Sequence, residues 1–184
     1  MFGFFKKFDR QKKLAESGNP IAQYNLGCCY QNGDGAPQDC NEALKWFRKA
    51  AEQGIAEAEY RLGLWYLHQS AMPPSEKETE LKTEAAKWFR LAADQGYAPA
   101  QFQLGRYYES GCVSRTFDKR LEFSYNDGRV TRNLVEAYKW YNLASAQGYV
   151  DEIIQRSATT YRDAVATEMT PDQIAEAQRL PRAF

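Results

Sequence analysis

Three nine-residue stretches decide the reading of this chain: AQYNLGCCY at residues 22–30, AEYRLGLWY at 58–66 and AQFQLGRYY at 100–108. Each has an alanine, then Leu-Gly four residues on, then a tyrosine: Ala22, Leu26, Gly27 and Tyr30; Ala58, Leu62, Gly63 and Tyr66; Ala100, Leu104, Gly105 and Tyr108. Spacings of three and four place the alanine, leucine and tyrosine on one helical stripe. Working outward, a second block follows each: Ala43, Trp46 and Phe47; Ala85, Trp88 and Phe89; Ala137, Trp140 and Tyr141. Small residues and a glycine close each block: Ala50-Ala51 to Gly54, Ala92-Ala93 to Gly96, Ala144-Ser145 to Gly148. A unit of this kind cannot bury its own apolar face, so units stack into a solenoid.

Each unit reads as a helix pair. Asn19 and Pro20 give an N-cap and a first-turn proline, and Gly33 and Gly35 break the first helix. The second helix starts near Asp39, and Gly54 suits the left-handed conformation that ends a helix. A glycine inside the first helix, at about 1 kcal/mol of lost propensity, marks a close helix–helix approach. The spacing predicts helices over 19–32, 39–53, 55–69, 77–95, 98–110 and 131–147, a further one over 150–168, and a last one from Thr170-Pro171 to about Leu180. The distance from the Leu-Gly glycine to the tryptophan grows from 19 to 25 to 35 residues across the units, so the extra length falls in one internal loop. The segments are an N-terminal half-repeat and cap over 1–18, in which Phe4, Phe5 and Phe8 cover the first unit, repeats at 19–54, 55–96 and 97–148, the third with a long loop over 114–133, and C-terminal capping helices over 149–184. The repeating Trp46, Trp88 and Trp140 read as core; Trp65, without an equivalent, reads as an interface candidate.

Composition narrows the function. Lys plus Arg equals Asp plus Glu at 24 each, which argues against nucleic acid. No apolar run is long enough to span a bilayer, and Lys6 and Lys7 follow the apolar start in the reverse order to a signal peptide, so the chain reads as cytoplasmic. Cys28, Cys29, Cys40 and Cys112 form no CxxC pair, and His68 is the single histidine; the pattern implies no metal site and no catalytic residue. Glu76, Glu78 and Glu80 read as the solvated first turn of a helix, and the Gly33-Asp34-Gly35 turn lacks the lysine and hydroxyl of a phosphate loop.

These residues resemble the Sel1-like repeat family, relatives of the tetratricopeptide repeat, over about residues 11–180. The first unit matches at Ala22, Leu26, Gly27, Tyr30, Gly33, Gly35, Asp39, Ala43, Trp46, Phe47, Ala50, Ala51 and Gly54. The second lacks both loop glycines and the third keeps Gly111. The closing segment from Met169 to Leu180 looks like the tail of many bacterial members. The resemblance implies an all-α, right-handed solenoid of antiparallel helix pairs, about three repeats plus caps. It also implies a non-enzymatic scaffold or adaptor that holds a protein or peptide in a concave groove, without a cofactor.

In such a solenoid the first helix of each pair lines the groove. The residues beside Leu-Gly and off the packed stripe are then Tyr24 and Asn25, Tyr60 and Arg61, Phe102 and Gln103, with Leu64 and Arg106 after the glycine. This is an aromatic row beside hydrogen-bond donors, suited to a carboxylate and to extended backbone, so an acidic tail is one candidate ligand. The competing reading pairs these donors with Glu57, Glu59 and Glu109 on the same helices. The basic and aromatic 114–133 loop is functional or disordered. Two further functions stay open: a self-associating module using Trp65 or the aromatic N-terminus, and an accessory subunit of a larger enzyme complex. The partner and the oligomeric state are not specified by the sequence.

Overall fold

The computed structural model describes residues 2–71, 77–111, 132–146 and 152–179, and every regular element among them is an α-helix. The chain divides into two compact units, residues 1–64 and 65–184. In the first lie α1 (Phe2–Glu16), α2 (Pro20–Asn32), α3 (Cys40–Ala51) and the start of α4 (Ala56–Ser70). The second holds the rest of α4, α5 (Glu78–Asp94), α6 (Ala98–Ser110), α7 (Leu134–Ser145), α8 (Glu152–Glu168) and α9 (Pro171–Arg179). Each predicted helix is present, with ends within a few residues of expectation.

Local chemistry sets the boundaries of the first pair. The Asn19 side chain accepts from the Ala22 amide and Pro20 fills the first turn, where a missing N–H costs nothing. Asp39 caps α3 by accepting from the Asn41 and Glu42 amides. Gly33 ends α2 at φ 80°, its N–H donating to the Cys29 carbonyl. Gly111 ends α6 in the same way at φ 70°.

Within the α2–α3 and α6–α7 pairs a ring fills the space a side chain would take on the facing helix. A Cβ built on Gly27 would lie 2.7 Å from the Phe47 ring and 3.2 Å from the Ala43 carbonyl oxygen; one on Gly105 would lie 2.5 Å from the Tyr141 ring. Leu26, Leu62 and Leu104 are fully buried, as are Ala50, Ala58, Ala92, Ala100 and Ala144. Small residues on one helix and rings on the next let the layers interdigitate at interior density.

The tryptophans depart from expectation in two of three cases. Trp140 is buried at 2% exposure, whereas Trp46 and Trp88 are half-buried. The deeply buried ring is the next residue, at Phe47, Phe89 and Tyr141. One residue is a turn of about 100° around a helix, so the adjacent rings serve different seams. Phe47 closes the α2–α3 contact, while Trp46 packs on Ala15, Ala22 and Leu26 with the Lys49 ammonium 4.2 Å over its ring. Trp65 is half-buried and meets Tyr66 edge to face at 5.0 Å.

A glutamine series also recurs, with Gln23 and Gln101 buried and Gln155 half-buried, and neither the spacing nor the composition drew attention to it. Gln23 donates to the Ala15 carbonyl at 3.2 Å, Gln101 to Ala93 at 3.2 Å and Gln155 to Ser145 at 3.3 Å. Each ties the last turn of one helix to the helix after it and satisfies a polar group that burial would otherwise penalise.

The N-terminal segment expected as a half-repeat forms α1 and the turn after it. Ala15 is buried, Gly18 has φ 95°, and Phe8 stacks edge to face on Tyr30 at 5.6 Å. The Phe4 and Phe5 side chains lie outside the described residues. So do residues 114–131 of the expected 114–133 loop, although its far edge, Arg132 and Asn133, is described. The Asn133 N–H donates to the Tyr108 carbonyl at 2.9 Å, just as the Asp39 N–H donates to Tyr30 at 2.9 Å across the short loop of the first pair.

The glycine contacts make a stability prediction. Alanine at Gly27 or Gly105 gains up to about 1 kcal/mol of helix propensity, but overpacking against a fixed ring costs about 1–3 kcal/mol. Gly27→Ala and Gly105→Ala should therefore each lower Tm in a calorimetric scan. A rise at both positions would refute the close packing.

Candidate functional site

The eight residues expected in a groove fall into two groups, one in each unit. In the first unit Tyr24 is half-buried and packs on Phe47 with ring centroids 5.7 Å apart. Its hydroxyl meets Cys28 and Arg61; burial raises the phenol pKa, Cys28 adds to this, and the Arg61 hydrogen bond and charge oppose it. Arg61 is thus held by a neighbour on α2. Asn25, Tyr60 and Leu64 are half-buried.

In the second unit the three expected residues divide. Phe102 belongs to an aromatic cluster, 5.7 Å from Tyr141 and 5.5 Å from Tyr161. Gln103 and Arg106 instead line a cavity of about 460 Å³, together with Leu67, Lys82, Tyr107, Glu109, Ser110, Arg132 and Tyr161. That volume lies in the range of small-ligand and side-chain pockets. Gln103, Arg106 and Ser110 follow the three- and four-residue rhythm of α6, which carries them down one face.

The competing pairing of Arg106 with Glu109 is not what the structure contains. Glu109 accepts a hydrogen bond from the Tyr141 hydroxyl at 2.5 Å and lies 4.0 Å from Arg132. Arg132 donates through Nε to the Glu109 backbone carbonyl at 2.8 Å and forks onto both oxygens of Glu168 at 2.8 and 3.2 Å. The Glu168 carboxylate is held below its usual pKa by that guanidinium. This chain of contacts joins α6, α7 and α8, and the bidentate geometry is the strong form of such a pair. Lys82 pairs with Glu78 one turn earlier. Arg106 is exposed and makes no hydrogen bond or ion pair among the described residues.

Sequence reasoning did not assign Leu67, Lys82, Glu109 and Tyr161 to a site. Lys82 sits in the longer second unit and Tyr161 on a capping helix, so neither has a repeat equivalent whose recurrence would have pointed to it. Arg132 was legible only as one of several charges in the loop. Among the described residues no cluster of His, Cys, Asp and Glu is placed to hold a metal ion, and no described helix is long and apolar enough to cross a membrane. Cys28, Cys29 and Cys40 form no disulfide among the described residues.

The helix pairs, their Leu-Gly seams and their glycine-ended helices define an all-α helical-repeat solenoid of the tetratricopeptide-like class. The Sel1 repeat pattern matches residues 20–55, 56–97, 98–120 and 123–149, and the chain belongs to the Sel1 repeat family. It is similar to the crystal structure of a Sel1 repeat protein from Oxalobacter formigenes, with a TM-score of 0.60 and 33% identity, over 84% of this chain and 98% of that one. It is also similar to chitin synthase regulatory factor 3 of Schizosaccharomyces pombe, 33% identical over 63 residues, which are 34% of this chain and 7% of the relative. A 51-residue stretch, 28% of this chain, is 41% identical to the chitin synthase regulator SKT5 of Malassezia restricta, of which it spans 4%. The chain therefore spans under a tenth of these two curated relatives. Sel1 repeat proteins generally mediate protein–protein interaction.

The Tyr141 hydroxyl gives a pH prediction. Burial, then the hydrogen bond to Glu109, raises its pKa above the ordinary tyrosine value. The folded protein keeps this proton where the unfolded chain releases it. Its stabilisation is therefore intact below about pH 10 and is lost as pH climbs beyond that. Tyr141→Phe should cost about 1–3 kcal/mol at neutral pH and flatten the alkaline fall. Chemical denaturation of both proteins across that pH range measures the difference; parallel curves would remove Tyr141 from the account.

Proposed function

We propose that this protein is a non-enzymatic adaptor that binds another protein or an extended peptide. The first helices of the pairs, α2, α4 and α6, supply the contact residues Tyr24, Asn25, Tyr60, Arg61, Leu64, Phe102, Gln103 and Arg106. The observation that carries this reading is the pair Gln103 and Arg106, polar side chains that line a cavity while forming no hydrogen bond or ion pair within the described chain. A surface with packed aromatics and an available guanidinium has the composition of an interaction hot spot. Family membership supports the same class of function, and the regulators among the relatives act, by their names, on another protein. The compartment is proposed as cytoplasmic, in keeping with the free thiols of Cys28 and Cys40.

A photo-crosslinking residue at position 103 tests the reading in the native cell. The expected outcome is a discrete adduct with a different protein. Adducts formed solely between copies of this chain would replace the adaptor with a self-associating module, and the absence of any adduct would refute both.

A further inference from the structure

We infer that the cavity in the second unit is a self-contained anchor site for a single carboxylate flanked by an apolar side chain. The inference rests on the adaptor reading and names the chemistry that this site selects. Four charged side chains line the cavity: Lys82, Arg106, Arg132 and Glu109. Lys82 is compensated by Glu78 at 2.5 Å, and Arg132 by the fork onto Glu168. Glu109 accepts a hydrogen bond from the Tyr141 hydroxyl at 2.5 Å and lies 4.0 Å from Arg132. One cation, Arg106, makes no ion pair among the described residues, so the lining matches one negative charge rather than two or three. A guanidinium presents a planar fork that fits both oxygens of a carboxylate. Gln103, one turn earlier on α6, brings an amide that donates to a ligand carbonyl and accepts from a ligand N–H.

The lining also has an apolar part, made by Leu67 and by Tyr161, which is 39% exposed. Tyr161 is held in place by Phe102 at 5.5 Å and Tyr141 at 5.6 Å, so its exposed face is a rigid wall that loses little entropy on contact. A volume of about 460 Å³ accommodates an acidic group and one neighbouring aliphatic or aromatic side chain. A peptide supplies this combination in two ways, as an aspartate or glutamate beside an apolar residue, or as a C-terminal carboxylate on an apolar residue.

Fluorescence anisotropy with the full chain and short labelled probes tests the inference. The probes are a capped peptide with one aspartate between two leucines, its asparagine counterpart, and a leucine peptide with a free C-terminus. The aspartate probe should bind about tenfold or more tightly than the asparagine probe, as a charge-assisted hydrogen bond implies. Tighter binding of the free C-terminus would assign the carboxylate to a chain end instead. Arg106→Glu should lose about tenfold or more, and Arg156→Glu, on the exposed part of α8, should lose none. Arg106→Gln replaces it should the reversal fail to fold, with the same expected loss. Equal binding of the aspartate and asparagine probes, no binding of any probe, or full affinity in the Arg106 variants would overturn the site. A crosslinked partner at position 103 alongside any of those results would leave the adaptor reading standing and remove this anchor alone.

Discussion

The fold depends on a methyl group that is not there. At Gly27 and Gly105 the ring of Phe47 or Tyr141 lies within 3 Å of the point a Cβ would occupy. The ring edge sits against helical backbone, and the two helices of a pair approach more closely than side chains on both would permit. Other features follow from that distance. Alanines suffice along the rest of the seam, because little space remains between the helices. The adjacent tryptophan is left to face the previous layer, as Trp46 does against Ala15, Ala22 and Leu26. Propensity is sacrificed at one helical position and recovered as packing on two sides of the second helix.

Much of this architecture is legible in the sequence because it is written three times. A single Leu-Gly carries little meaning, but three of them, each with a downstream aromatic pair at a shared relation to a terminal glycine, leave few alternatives. What repetition does not convey is which of two neighbouring aromatics goes deeper, since both recur with the same spacing. The glutamines at positions 23 and 101 recur too, directly after the stripe alanine. They are polar residues in a pattern otherwise read for apolar ones, and their burial depends on a carbonyl eight residues earlier that no periodicity displays.

The candidate site was legible only in part, for the opposite reason. Gln103 and Arg106 lie on a repeated helix and could be picked by register. Tyr161 and Lys82 come from a cap and from a lengthened unit, where recurrence gives no guidance. The separate fates of Arg61 and Arg106 show the limit of register as an argument. The two occupy neighbouring registers on equivalent helices, but one is engaged by Tyr24 and the other is without a partner among the described residues. The difference is made by the surrounding elements rather than by the helix that carries them.

The backbone bond from the residue that caps α3 and α7 back to the last tyrosine of the preceding helix has a consequence for how such chains diversify. Asp39 to Tyr30 and Asn133 to Tyr108 are the same 2.9 Å contact, although eight residues separate the first two positions and twenty-four the intervening ones of the second. The join behaves as a socket: what is plugged between its two poles does not alter the poles. Segments of different length fit there around the same contact, and a designer has at that point a place to graft a foreign recognition loop onto an unchanged scaffold.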